Sequence, residues 1–142
     1  MTGSNINWIG TSLDEYISVK LVDEKSVSFY FTKSILNKLK SQYNNFFDKD
    51  DNRYNLMVGF DEDEMKILFK ITKEVNVYTS VFTLTSDGNE FKGKPKKVTN
   101  KVLRNFVESV SSEEKFKLVD YDLASDDDGI IITFYLDDII YY

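Results

Sequence analysis

The sequence predicts an α+β fold, a β-rich barrel-like domain built from two similar β-α-β-β halves with pseudo-two-fold symmetry. Three observations predict it. Short runs that alternate apolar and polar residues recur along the chain, as half-buried strands require. Two segments carry apolar residues at helical spacing just after a residue able to cap a helix. The order of these elements then repeats after about 65 residues. The chain of 142 residues is the size of one domain with one core, and no Pro- or Gly-rich stretch divides it. The half-units fall at about 15–73 and 75–137 of a single domain, 1–142.

Ile17 to Val22 alternates apolar and polar, Asp23 to Lys25 reads as a turn, and Val27 to Phe31 is rich in β-formers, so this region reads as a hairpin. Thr32 is placed to cap a helix from about Lys33 to Tyr43, with Ile35, Leu36 and Leu39 on one stripe. A charged loop, Asp48 to Arg53, leads to a strand at Tyr54 to Phe60. Asp61 to Glu64 turns the chain into a return strand at Met65 to Thr72, with Ile67, Phe69 and Ile71 on one face. Val75 to Thr85 reads as one strand, ended by the turn pair Asp87-Gly88. Glu90 to Lys97 is basic and less regular. Thr99 then caps a second helix carrying Val102, Leu103, Phe106 and Val110. Phe116 to Asp122 is a strand, Ala124 to Gly129 an acidic turn, and Ile130 to Leu136 the last clear strand.

The repeat is read from Thr32, Ile35, Leu36 and Leu39 against Thr99, Val102, Leu103 and Phe106, and from Ile67, Phe69 and Ile71 against Ile132, Phe134 and Leu136. Neither half holds enough apolar material for its own core, so the two are expected to pack on each other.

Composition removes whole classes of chemistry. With no cysteine there are no disulfides and no thiolate metal sites. With no histidine, Ser-His-Asp and Cys-His hydrolases, zincins, zinc deaminases and HNH-type nucleases are excluded. No apolar run approaches the roughly 20 residues of a membrane-spanning helix. The polar stretch Met1 to Trp8 shows no secretory signal, so the expected location is cytoplasmic, with no membrane partner. Abundant Asn, Asp, Lys, Tyr, Ile and Phe point to an AT-rich genome, such as that of a low-GC bacterium or its phage.

The run from Val27 to Leu39 (VSFYFTKSILNKL), followed by an acidic hairpin ending in Met65 to Lys70 (MKILFK), resembles the swapped-hairpin unit of the AbrB/SpoVT family. Lys96 to Arg104 (KKVTNKVLR), with Gly129 to Phe134, resembles it again. Thr stands where that family has Pro before each helix, the Gly-Asp step into the last hairpin is missing, and the loop from Gln42 to Arg53 is long. Two such units in one chain would imitate the family's dimer. The resemblance implies DNA binding through basic residues near the sheet and the helix starts.

The net charge is −6, yet the charges are segregated. Lys92, Lys94, Lys96, Lys97, Lys101 and Arg104 lie in a stretch without an acid, as do Lys33, Lys38 and Lys40. These are the matching helix regions of the two halves, expected to share one face beside helix N-termini, which favour anions. Those nine residues are the candidate nucleic-acid contacts of a non-enzymatic binding protein. Tyr78, Phe82 and Phe91 are candidates to stack on exposed bases, against the plainer reading that they are core.

The acidic turns carry the alternative. Asp61, Glu62, Asp63, Glu64, Asp126, Asp127 and Asp128 are either solvated hairpin tips or the contact surface of a small acidic inhibitor, of DNA-mimic or anti-defence type, that binds a basic partner, a host nucleic-acid-handling protein. Asp48, Asp50 and Asp51 belong to the same acidic set. The stretch Asp48 to Asn52 begins like a calcium loop, but Arg53 stands where the loop needs Gly and Gly59 where it needs Glu. Glu64-Met-Lys66 beside Asp61 has the residue types of a magnesium nuclease, although Asp61 sits in the same turn rather than on a converging strand. No cofactor, metal or catalytic residue is therefore assigned. A third role, in assembly, rests on the apolar end Ile139 to Tyr142, which either packs onto its own sheet or forms a homo-oligomer contact.

Overall fold

The computed structural model describes residues 14–47, 53–87, 90–111 and 113–142. The acidic positions Asp48, Asp50 and Asp51, the calcium-like stretch to Asn52, and Gly88 lie outside them.

Alternating residues build two antiparallel sheets whose apolar faces meet. Ile17–Leu21 (β1) and Ser26–Phe31 (β2) form the expected hairpin, with Ile17 opposite Phe31 and Leu21 opposite Val27. After β2 the helix Lys33–Gln42 (α1) begins at Thr32, whose hydroxyl accepts from Ile35 N at 3.4 Å. Arg53–Asp61 (β3) and Lys66–Thr72 (β4) make the second hairpin, followed by Ser80–Asp87 (β5) and Glu90–Gly93 (β6). Lys96–Thr99 (β7) runs into the helix Lys101–Val110 (α2). The chain ends with Lys115–Leu118 (β8), Tyr121–Asp126 (β9), Gly129–Tyr135 (β10) and Ile139–Tyr141 (β11).

One sheet has five strands, ordered β11-β8-β1-β2-β7, and the other six, ordered β6-β5-β3-β4-β10-β9. The fold is thus β-rich with two helices, and one sheet curls into a half barrel. Ile17, Val19, Val27, Phe29, Phe31, Phe116 and Leu118 of the first sheet bury against Leu56, Ile67, Phe69, Ile71, Ile130, Ile132 and Phe134 of the second. Phe69 receives Phe29 and Phe31 edge-on, at centroid distances of 4.9 and 5.1 Å. Burial of each such side chain stabilises by about 1.5–3 kcal/mol. Helix α1 packs against β6, where Asn37 accepts from Phe91 N through Oδ1 at 2.8 Å. Helix α2 packs on β1 and β2 and stacks Phe106 on Phe60 of β3.

Four elements differ from the sequence reading. Asn100, not Thr99, caps α2: its Oδ1 accepts from Leu103 N at 3.0 Å. Thr99 belongs instead to β7, where its hydroxyl meets that of Ser26 at 3.0 Å. The buried stripe is Leu103, Phe106 and Val107, at i, i+3 and i+4, and Val102 is exposed off it. Residues 73–79 form a loop, so the expected strand from Val75 starts only at Ser80. The expected strand Phe116 to Asp122 is two strands in different sheets, with the crossing at Val119 and Asp120. The irregular segment Glu90 to Lys97 contains two short strands, one in each sheet. The end of the chain does pack on its own sheet, where β11 pairs with β8.

Candidate functional site

The strongest chemical asymmetry lies on the outer face of the five-stranded sheet. Its strands contain Lys20, Lys96, Lys97, Lys115 and Lys117 and no Asp or Glu. Strands disfavour acidic residues in general. Yet the six-stranded sheet of the same chain keeps Asp61, Asp122 and Asp126 in its strands.

Register assembles the lysines. Because Val19, Val27, Phe29, Phe116 and Leu118 point inward, their strand neighbours point out. Lys115 is directly opposite Lys20, Lys20 is opposite Ser28, and Ser28 is opposite Lys97. The row Lys115, Lys20, Ser28, Lys97 thus crosses four strands, a span of about 14 Å at the usual strand spacing. A parallel row runs from Ile140 through Lys117 and Ser18 to Tyr30. Like charges set directly opposite on neighbouring strands destabilise a sheet. Among the described residues no carboxylate forms an ion pair with Lys20, Lys115 or Lys117, and Lys97 has only the exposed Asp23, at 3.8 Å.

Tyrosines complete the surface. Lys117 Nζ lies 4.7 Å from the ring centroids of both Tyr16 and Tyr142, and Lys115 Nζ lies 4.3 Å from that of Tyr142. Tyr142 Oη donates to Ser18 Oγ at 2.7 Å, which holds the ring over the sheet. Burial pushes the Tyr16 phenol above its ordinary value, and the neighbouring Tyr142 phenol adds to the shift. Tyr16, Ser18, Lys20, Ser28, Tyr30, Pro95, Lys115 and Tyr142 line a recess of about 370 Å³. Hydroxyl donors, ammonium groups and aromatic rings in one shallow recess suit an anionic ligand with flat rings.

The cations named from the sequence are scattered. Only Lys97 joins the lysine row. Lys38 pairs with Glu15 at 3.3 Å and lies over the Tyr121 ring, and the hydrogen bond to Tyr121 heads the causes that raise its pKa. Lys40 lies 4.5 Å from the Phe91 centroid. Lys96 Nζ donates to Val81 O at 3.0 Å and so ties the two sheets together. Arg104 donates to Asp23 O at 2.8 Å and pairs with Glu108. Lys33, Lys92, Lys94 and Lys101 are exposed, and no strand pairing sets any of them in the row. The two helix starts do not converge. Thr32 N donates to Tyr16 O just before β1, whereas Asn100 N donates to Lys25 O in the turn that follows β1. Of the proposed stacking residues, Phe82 and Phe91 are core, and only Tyr78 is exposed.

The acidic residues are partly engaged in their own turns. Asp61 Oδ1 accepts from Asp63 N at 3.0 Å and Glu64 N at 3.1 Å, and Glu64 pairs with Lys66. The three nuclease-like residues are thereby tied into one hairpin tip. Asp126 Oδ1 accepts from Asp128 N and Gly129 N, while its Oδ2 takes Lys70 Nζ at 2.9 Å. That ion pair holds the Asp126 carboxyl below its ordinary value and the Lys70 ammonium above its own. Glu62, Asp63, Asp127 and Asp128 are exposed. Among the described residues no group of three or more Asp and Glu is placed to hold a metal ion. No described helix is long and apolar enough to cross a membrane.

Sequence reasoning missed Lys20, Lys115, Lys117, Tyr16, Tyr30 and Tyr142. The available signal was the alternation of lysine with apolar residues in Val19-Lys20-Leu21 and Lys115-Phe116-Lys117-Leu118, which marks strands with a cationic outer face. Comparison with family models, with curated proteins and with solved structures finds no match to this chain.

Proposed function

We propose that the protein is a non-enzymatic, cytoplasmic binder of single-stranded nucleic acid, which it holds on the outer face of the five-stranded sheet. The observation that carries this reading is the row Lys115, Lys20, Ser28 and Lys97, in which two lysines stand directly opposite each other on paired strands and, among the described residues, neither forms an ion pair with a carboxylate. A phosphate backbone supplies the missing anions. The adjacent tyrosine rings offer stacking surface for splayed bases, and stacking is worth about 1–3 kcal/mol per base. The bases of a duplex are not free to stack in this way, so a single strand fits better.

The same reading takes the chain as two β-α-β-β units. Strands β4 and β10 pair in the six-stranded sheet, each with its own hairpin partner on its other side, and β2 and β7, each leading into a helix, pair in the other sheet. This order supports a duplicated unit. The likeness to the AbrB/SpoVT unit belongs to this proposal, on the residues that suggested it.

The test is binding of labelled single- and double-stranded oligonucleotides across a salt series. With three or four lysines neutralising phosphates, the slope of log K against log salt for a single strand should be about −2 to −3. Replacing Lys20 and Lys115 by Gln should reduce that slope by about 1.4 and weaken binding at low salt. Absence of binding at low salt, or a slope unchanged in the variant, would remove the nucleic-acid reading.

A further inference from the structure

On the opposite side of the molecule, the outer face of the six-stranded sheet is apolar at its centre. Leu68 of β4 faces outward, opposite Gly59 of β3, and Ile131 of β10 sits diagonally across from Leu68, paired with Lys70. With Met57 and Tyr78 these residues line a groove of about 250 Å³. The 73–79 loop beside it leaves Val75, Val77 and Tyr78 at 81, 89 and 75 % exposure. Exposed apolar groups grouped in this way mark a surface that meets another molecule.

Charge says what that molecule carries. One end of the β3–β4 hairpin bears Asp61, Glu62, Asp63 and Glu64, with Lys66 as the nearby cation. At the other end Asp126, Asp128 and Glu74 crowd around Lys70, three carboxylates for one ammonium. The shared hydrogen bond with Asp128 pushes the Glu74 carboxyl above its ordinary value, as crowded carboxylates require. The groove therefore lies between two negative rims. A second copy is the poorer occupant, because a two-fold pairing would set the same carboxylates against each other.

We propose that this groove docks a protein segment presenting an apolar side chain flanked on both sides by Lys or Arg. The apolar anchor seats over Gly59 against Leu68 and Ile131, and the flanking cations reach the two acidic rims.

Gly59 provides a test that spares the fold, since a Cβ built there meets no atom within 4 Å. Gly59→Val fills the groove with a residue that strands favour. The probe is a capped peptide alternating lysine and leucine, compared with one alternating lysine and serine, and binding is mapped by amide NMR shifts. The Lys-Leu peptide should shift amides of β3, β4 and β10, and Gly59→Val should weaken it about tenfold. Glu74→Gln combined with Asp128→Asn should flatten its salt dependence. Equal binding of the Lys-Ser peptide, or no effect of Gly59→Val, would overturn the proposal. So would a doubled mass in sedimentation that Gly59→Val returns to the monomer, which would assign the groove to a second copy.

Discussion

Lys20 and Lys115 stand opposite each other on β1 and β8, and among the described residues neither pairs with a carboxylate. Such a pair costs a sheet a few tenths of a kcal/mol to about 1 kcal/mol. Replacing one of them by a strand-favouring neutral residue should therefore stabilise the isolated protein while harming its binding. Lys20→Thr is expected to raise unfolding stability by about 0.5 kcal/mol in urea titration and to weaken oligonucleotide binding at low salt. A loss of stability on Lys20→Thr would mean that the pair is relieved by some other contact. Lys97 is the partial exception in the row, because Asp23 lies 3.8 Å away and both groups are exposed to water, where such pairs contribute little.

At the level of the hairpin, Gly129 decides how β10 meets β4. A Cβ built there would lie 2.2 Å from Ile71 O, within the backbone of the neighbouring strand. Gly129→Ala must push the strands apart where Asp126 caps the turn, and it is expected to cost about 2–3 kcal/mol in urea unfolding. Gly59→Val, in open space on the same sheet, should leave the unfolding curve nearly unchanged. Local elements of this kind were largely legible in the sequence. The hairpins at 17–31 and 54–72, the helix capped by Thr32 and the strand from Ile130 follow from short-range alternation and spacing. The misplacements have local causes. Thr99 and Asn100 are adjacent residues that can both cap, and only the ladder to Ser26 assigns Thr99 to a strand. Nothing in Leu118-Val-Asp-Tyr121 signals a crossing between sheets, because no Gly or Pro marks it.

Across the whole molecule, the two sheets turn unlike faces to solvent, one with lysine and tyrosine, the other apolar between acidic rims. The sequence shows pieces of each face, the lysines alternating with apolar residues and the acidic turns, but not their assembly into surfaces. The lysines near each helix start are neighbours in the chain, yet they serve separate contacts: Lys38 with Glu15, Lys40 over Phe91 and Lys96 on Val81 O. The lysines that do converge come from positions 20, 97 and 115 and meet only through strand pairings that span most of the chain. A net charge of −6 concealed them further. The two faces share no residue, so their losses should be independent: a variant joining Lys20→Gln to Gly59→Val should lose oligonucleotide and peptide binding additively, as measured by titrating each probe with the other present.

Strand β11 leads the chain to Tyr142, whose ring lies against Lys115 and Lys117. Any polypeptide joined beyond Tyr142 must therefore emerge onto the lysine face. A fluorescent protein or affinity handle fused there would shade the recess and lower oligonucleotide binding by simple obstruction. A handle grafted into the exposed tip at Glu62 and Asp63 would hang from the opposite sheet and leave the recess open to solution.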